Sequence, residues 1–123
     1  MTTPTIHRYS REKEYFFFEG CYINELSNDS HDSDVSIAQA RVCPGVTTQW
    51  HRLNATRERY VILEGEGLVE LGDNQAELVS AGDIVIIPPL TPQRITNNGG
   101  CDLIFLAICS PRFTEANYQL VNK

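Results

Sequence analysis

Long apolar runs are missing from this chain of 123 residues, and so is any excess of base. No stretch approaches the roughly 20 consecutive apolar residues that a helix needs to cross a bilayer. The opening residues, MTTPTIHRYSREKE, are largely polar and lack the continuous apolar core of a signal peptide. A cytoplasmic location is therefore expected. Lys and Arg number 10 against 16 Asp and Glu, a formal net charge of −6. Binding to a polyanion requires clustered cations that displace counterions, so neither nucleic acid nor an anionic membrane is an expected partner. Cys21, Cys43, Cys101 and Cys109 form no C-x-x-C pair. They read as thiols used mostly as small buried hydrophobes. Ser10, Ser36 and Ser110 belong to no nucleophile motif, which removes serine hydrolase chemistry.

What remains is a β-rich pattern in a chain of single-domain length, with 41% hydrophobic residues. Residues 14–18 are aromatic, while 21–26 and 35–43 alternate apolar and polar side chains, as half-buried strands do. Between the last two lies SNDSHDSD, a solvated loop that makes His31 an exposed side chain rather than a ligand. Residues 60–63 and 67–71 flank Glu64-Gly65-Glu66, a glycine-centred hairpin connection. Further strands are expected at 77–80, 84–87, 93–96 and 102–109, with Pro88, Pro89 and Pro92 marking an edge or corner. A helical period shows only at 114–121. About ten short strands separated by turns describe a sandwich or a closed barrel.

Two motifs decide between these. Gly45, His51, Glu58 and Gly65 lie in the register G-x5-H-x-H-x3,4-E-x6-G, with Leu53 in place of the second histidine. Gly82, Pro88 and Asn97 lie in the register G-x5-P-x-G-x2-H-x3-N, with Leu90 replacing the glycine and Gln93 the histidine. Together they resemble the paired signatures of the cupin superfamily. The resemblance implies an all-β double-stranded β-helix, the jelly-roll barrel, as a single domain and usually a homodimer. On this reading residues 35–111 form the barrel core. Residues 1–34 supply strands and a loop packed on the barrel or on a dimer partner, and 112–123 form a tail. The aromatic run Tyr15-Phe16-Phe17-Phe18 is the expected contributor to such a dimer.

Side chains two apart on a strand share a face, so Gln49, His51 and Leu53 fall together, as do Glu58 and Tyr60, and Gln93 and Ile95. The resemblance makes that shared face the barrel interior, where Gln49, His51, Glu58 and Gln93 converge. His51, Glu58 and Gln93 are then the candidate ligands of a divalent metal (Mn, Fe, Ni or Zn), with one imidazole nitrogen, one carboxylate and one amide oxygen. Arg57 and Arg59 point away from Glu58 by alternation, so an inward Glu58 needs another partner. Glu58 and Tyr60 are the candidate proton-transfer groups. Gln49, Leu53, Tyr60, Ile95 and Phe105 are the candidate substrate contacts, with Leu53 and Leu90 making the pocket more apolar. Two functions follow: a metal-dependent isomerase, lyase or dioxygenase acting on a small polar substrate, or a metal-free cupin that binds or senses a small molecule.

Overall fold

The computed structural model describes residues 3–122. Eleven strands follow one another along the chain: β1 (Tyr15–Phe17), β2 (Cys21–Ser27), β3 (Ser36–Val42), β4 (His51–Leu53), β5 (Arg57–Glu64), β6 (Glu66–Leu71), β7 (Glu77–Ser80), β8 (Ile84–Ile87), β9 (Gln93–Thr96), β10 (Leu103–Ser110) and β11 (Tyr118–Leu120). They form two sheets, ordered β1-β2-β3-β10-β5-β8 and β11-β4-β9-β6-β7. The paired strands within both sheets run antiparallel, which gives the jelly roll expected from the motifs. Among the described residues no helix is long and apolar enough to cross a membrane.

Alternation builds the core. Along β5 burial alternates so that Glu58, Tyr60 and Ile62 turn inward while Arg57, Arg59 and Val61 turn out. Arg59 donates instead to the Ser110 hydroxyl at 2.7 Å, which leaves Glu58 without a cation from its own strand. Ala40, Val42, Tyr60, Ile62, Val85, Ile87, Leu103 and Phe105 from the larger sheet meet Val69 and Ile95 from the smaller one. Ile95 belongs to this packed core and, unlike Tyr60 and Phe105, does not line the cavity between the sheets, a correction to the expectation from its face. Cys21 and Cys109 are buried, Cys43 is half-buried and Cys101 is exposed, all four as free thiols. Burial as small hydrophobes therefore describes only two of them.

The terminal segments join the sheets. Strands β1 and β2 form a hairpin that extends the larger sheet from β3. Helix was expected over 114–121, but the chain makes one 3-10 turn at Glu115–Asn117 and then strand β11 on the edge of β4. Local period loses here to tertiary pairing: β4 offers an open ladder, and Tyr118 packs edge-on to Phe17 and Phe18.

Left-handed backbone at Gly65 and Leu90 bears on the two motifs. Gly65, between β5 and β6, has φ +85°, and a Cβ there would lie 2.6 Å from the Asp102 carbonyl oxygen. Leu90 has φ +68° at the position where the second motif ordinarily has glycine. Its amide donates to the Leu53 carbonyl at 2.7 Å, which ties the β8–β9 connection to β4 and holds the strained conformation. Leu90 is 54% exposed, so it does not make the pocket apolar as expected. Leu90→Gly is expected to stabilise the protein by about 0.5–1 kcal/mol, the left-handed strain relieved less glycine's added unfolded-state entropy. Gly65→Ala is expected to cost roughly 2 kcal/mol or more, since clash and strain add. Urea denaturation of both variants checks the pair, and the same sign at both positions would contradict this reading.

Candidate functional site

A cavity of about 70 Å³ opens between the sheets. Its walls are largely apolar, with Phe17, Leu53, Tyr60, Phe105, Phe113 and Tyr118 supplying most of the larger side chains. Its polar lining includes Glu19, Glu25, Asn28, Ser36, His51, Glu58 and Cys109. The motifs therefore deliver His51, Leu53, Glu58, Tyr60 and Phe105 to one space, as their alternation indicates.

Glu58 is the most perturbed group. It is buried, and among the described residues its Oε1 is one of two buried side-chain polar atoms without a hydrogen-bond partner. The other carboxylate oxygen has only the Cys109 thiol, at 3.9 Å. Burial pushes its pKa up from the ordinary 4.5 to about 7. The nearby His51 opposes this, Glu19 adds to it, and the Gln93 and Cys109 side chains oppose it weakly. Burial also pushes the Cys109 thiol up, reinforced by the Glu58 charge, so Cys109 is a protonated neighbour and not a nucleophile.

Gln93 lies behind this carboxyl. It is buried, it is not among the cavity-lining residues, and its Oε1 accepts a hydrogen bond from the Tyr60 hydroxyl. Tyr60 thereby orients the amide. The Nε2 end, which is the other unpartnered buried atom, lowers the Glu58 pKa without completing a hydrogen bond to it. Burial, joined by the Glu58 charge, raises the Tyr60 phenol well above its usual range, so Tyr60 serves here as a donor that stays protonated.

His51 is held from two sides. Its Nδ1 lies 2.8 Å from the Gln49 carbonyl oxygen and 3.3 Å from Glu19 Oε2. A carbonyl only accepts, so Nδ1 carries a proton and donates it to Gln49. Tyr118 stacks on the imidazole, centroids 5.2 Å apart at 16°, and its hydroxyl donates to Glu19 at 2.9 Å. Burial and the Glu19 charge push the Tyr118 phenol up.

Gln49 is exposed, a correction to its expected place in the interior. It precedes β4, so strand alternation does not govern it. Instead its amide N–H donates to the Glu19 carbonyl at 2.8 Å and its Nε2 to the Phe18 carbonyl at 3.1 Å. It clamps the β1–β2 turn so that Glu19 reaches His51. Glu19 and Tyr118 carry no sequence signal that would have revealed them. They lie in the terminal segments, 99 residues apart, and meet only through the sheet additions of β1 and β11.

The proposed metal ligands can now be tested by their chemistry. His51 offers one lone pair and Glu58 one unpartnered oxygen, but Gln93 turns its nitrogen to Glu58 while its oxygen is engaged by Tyr60. An amide nitrogen does not ligate. Among the described residues no group of three His, Cys, Asp or Glu is gathered to hold a metal ion. As placed, the residues provide two donors and do not fit a divalent ion.

A family model of the cupin domain matches residues 39–109. The uncharacterized protein MJ1618 of Methanocaldococcus jannaschii is 35% identical over 115 residues, 92% of this chain and 91% of its own length. Among solved structures, an uncharacterized conserved protein with a double-stranded β-helix domain from Klebsiella pneumoniae is similar with TM-score 0.72 and 20% identity, covering 95% of this chain and 91% of that one. Pac13 of Streptomyces, a nucleoside dehydratase, is similar with TM-score 0.77 and 19% identity, covering 96% and 92%. At such identities the two structures speak for the fold.

Two outcomes check the site. The folded chain holds the Glu58 proton up to about pH 7, whereas the unfolded chain releases it near 4.5. Stability is therefore full below pH 4.5 and falls as pH rises through 7, by roughly 3 kcal/mol at ~1.4 kcal/mol per tenfold change in proton affinity. Glu58→Gln is expected to remove this fall, leaving the variant more stable than the parent at pH 8 and equal to it near pH 4. Equal stability at both pH values would contradict the buried, unpaired carboxyl. Gln93→His supplies a third donor and is expected to raise zinc or nickel affinity at least about tenfold by isothermal titration. No gain would place position 93 outside reach of the other two donors.

Proposed function

The chain belongs to the cupin family, and on that premise we propose that it is a small-molecule enzyme in which Glu58 moves a proton at the bound substrate. One observation carries this reading: a buried carboxyl lines the cavity with one oxygen unpartnered and no lysine or arginine in the lining. With a pKa of about 7, such a group both takes and gives a proton near neutrality, which is what general acid–base catalysis requires. His51 contributes a second proton-handling atom, Nε2, whose tautomer is set by the Gln49 carbonyl and Glu19. Two groups in different surroundings, one apolar and one hydrogen-bonded, divide naturally into acid and base.

Gln93 and Tyr60 serve as positioning residues. Tyr60 holds the amide so that its N–H end faces Glu58, and any substrate that draws charge onto Glu58 strengthens that interaction. The reaction class supported is proton transfer at a hydroxyl or an adjacent carbon, as in dehydration or isomerisation. A nucleoside dehydratase on the same fold is consistent with that class. Metal-assisted chemistry on His51, Glu58 and Gln93 would need the Gln93 amide turned around and its bond from Tyr60 given up.

Incubation with a library of small hydroxylated metabolites, followed by mass spectrometry, tests the proposal. A compound is expected to be consumed by the parent protein in the presence of EDTA. Consumption should fall at least about 100-fold with Glu58→Gln, a variant that keeps its fold. The pH dependence of kcat/KM should break near 7. Consumption that appears only after a divalent metal is added would overturn the metal-independent reading, and a compound bound but never altered would make the protein a carrier.

A further inference from the structure

The proton-transfer reading leaves open what the cavity selects, and the charges around it narrow that choice. Three glutamates line it, Glu19, Glu25 and Glu58, the last ionised above about pH 7, and no lysine or arginine does. Arg57 is exposed on the outer face of β5, and five other arginines near the barrel are engaged elsewhere. Arg41 binds Glu14 and Asp102, Arg94 binds Glu70 and lies over Trp50, Arg52 donates to Gln119, Arg59 to Ser110 and Arg112 to Asn28.

The result is a negative interior, and its effect is visible on neutral neighbours. The charges of Glu19 and Glu58 add to burial in raising the Tyr60 and Tyr118 phenols, and Glu25 adds to burial in raising Tyr15 at the same cavity. A ligand bearing a phosphate or carboxylate would enter this field with no donor of opposite charge to meet it. The walls offer instead aromatic faces, from Phe17, Phe105 and Tyr118, and acceptor oxygens for hydroxyl groups. The unpartnered Glu58 Oε1 is one such acceptor.

We infer that this cavity of about 70 Å³ takes the hydroxyl-bearing end of a molecule with no anionic group, a neutral nucleoside or glycoside in chemical type, and that acidic and phosphorylated counterparts are rejected by charge. This rests on the acid–base reading of the same cavity but makes a separate claim. It also sets the place of the reaction in a sequence: a preceding step must have removed, or a following step must add, any phosphate.

Matched pairs test it by saturation-transfer NMR and thermal shift at pH 8: uridine against uridine 5′-monophosphate, and a methyl glucoside against the corresponding glucuronide. The neutral member is expected to bind and its anionic partner to bind at least about 100-fold more weakly. Glu25→Lys, which puts a cation in place of one acidic group of the lining, is expected to narrow that gap at least about tenfold. Anions binding as well as neutrals, no binding by either set, or a gap unmoved by Glu25→Lys would each overturn the inference. Neutral ligands that bind but are never converted, in parent or Glu58→Gln protein, would defeat only the proton-transfer reading.

Discussion

A carboxylate removed from water without a counter-charge loses far more hydration energy than scattered dipoles return, so a protein must pair it, bind a metal to it or let it keep its proton. Glu58 takes the third course up to about pH 7. Its strand neighbours Arg57 and Arg59 face outward, Gln93 approaches without closing a hydrogen bond, and the Cys109 thiol is a distant, weak donor. The surrounding features make sense as consequences. Tyr60 stays protonated and uses its hydroxyl to orient Gln93, and Cys109 stays protonated because burial disfavours a thiolate.

The barrel holds this arrangement by joining elements that are remote in sequence. His51 stands on a strand of three residues that relies on β11 and β9 for its ladder. Glu19 arrives from the β1–β2 turn under the clamp of Gln49, and Tyr118 arrives from β11 to stack on the imidazole. The N- and C-terminal segments therefore complete the site as well as extend the sheets. The N-terminal hairpin also reaches the core through Cys21, with Phe17 and Ile23 packed against it, so loosening that segment would disturb site and core together.

The legible part of the structure was the part governed by short-range rules. Alternation placed His51, Leu53, Glu58, Tyr60 and Phe105 inward because a strand's two-residue period leaves little choice once one face is buried. The two motifs turned strand order into a jelly roll. Gln49 escaped that logic because it precedes the strand and hydrogen-bonds across to another segment. Glu19 and Tyr118 were invisible for a related reason: neither has a period or spacing of its own, and each gains its role from a contact that exists only after both termini dock. Leu90 shows the opposite case. It holds the left-handed conformation that glycine adopts without strain, at the position where the motif ordinarily has glycine.

Charge and chemistry thus meet on one atom pair, the Glu58 carboxyl oxygens. Carbon-13 NMR of the glutamate side-chain carboxyls, assigned by comparison with Glu58→Gln, measures their titration directly. A Glu58 midpoint near 7 is expected, against an ordinary value of 4.5. A midpoint near 4.5 would mean that the carboxyl is solvated or paired, and would contradict its place as the acid–base group of an unpaired, negative cavity.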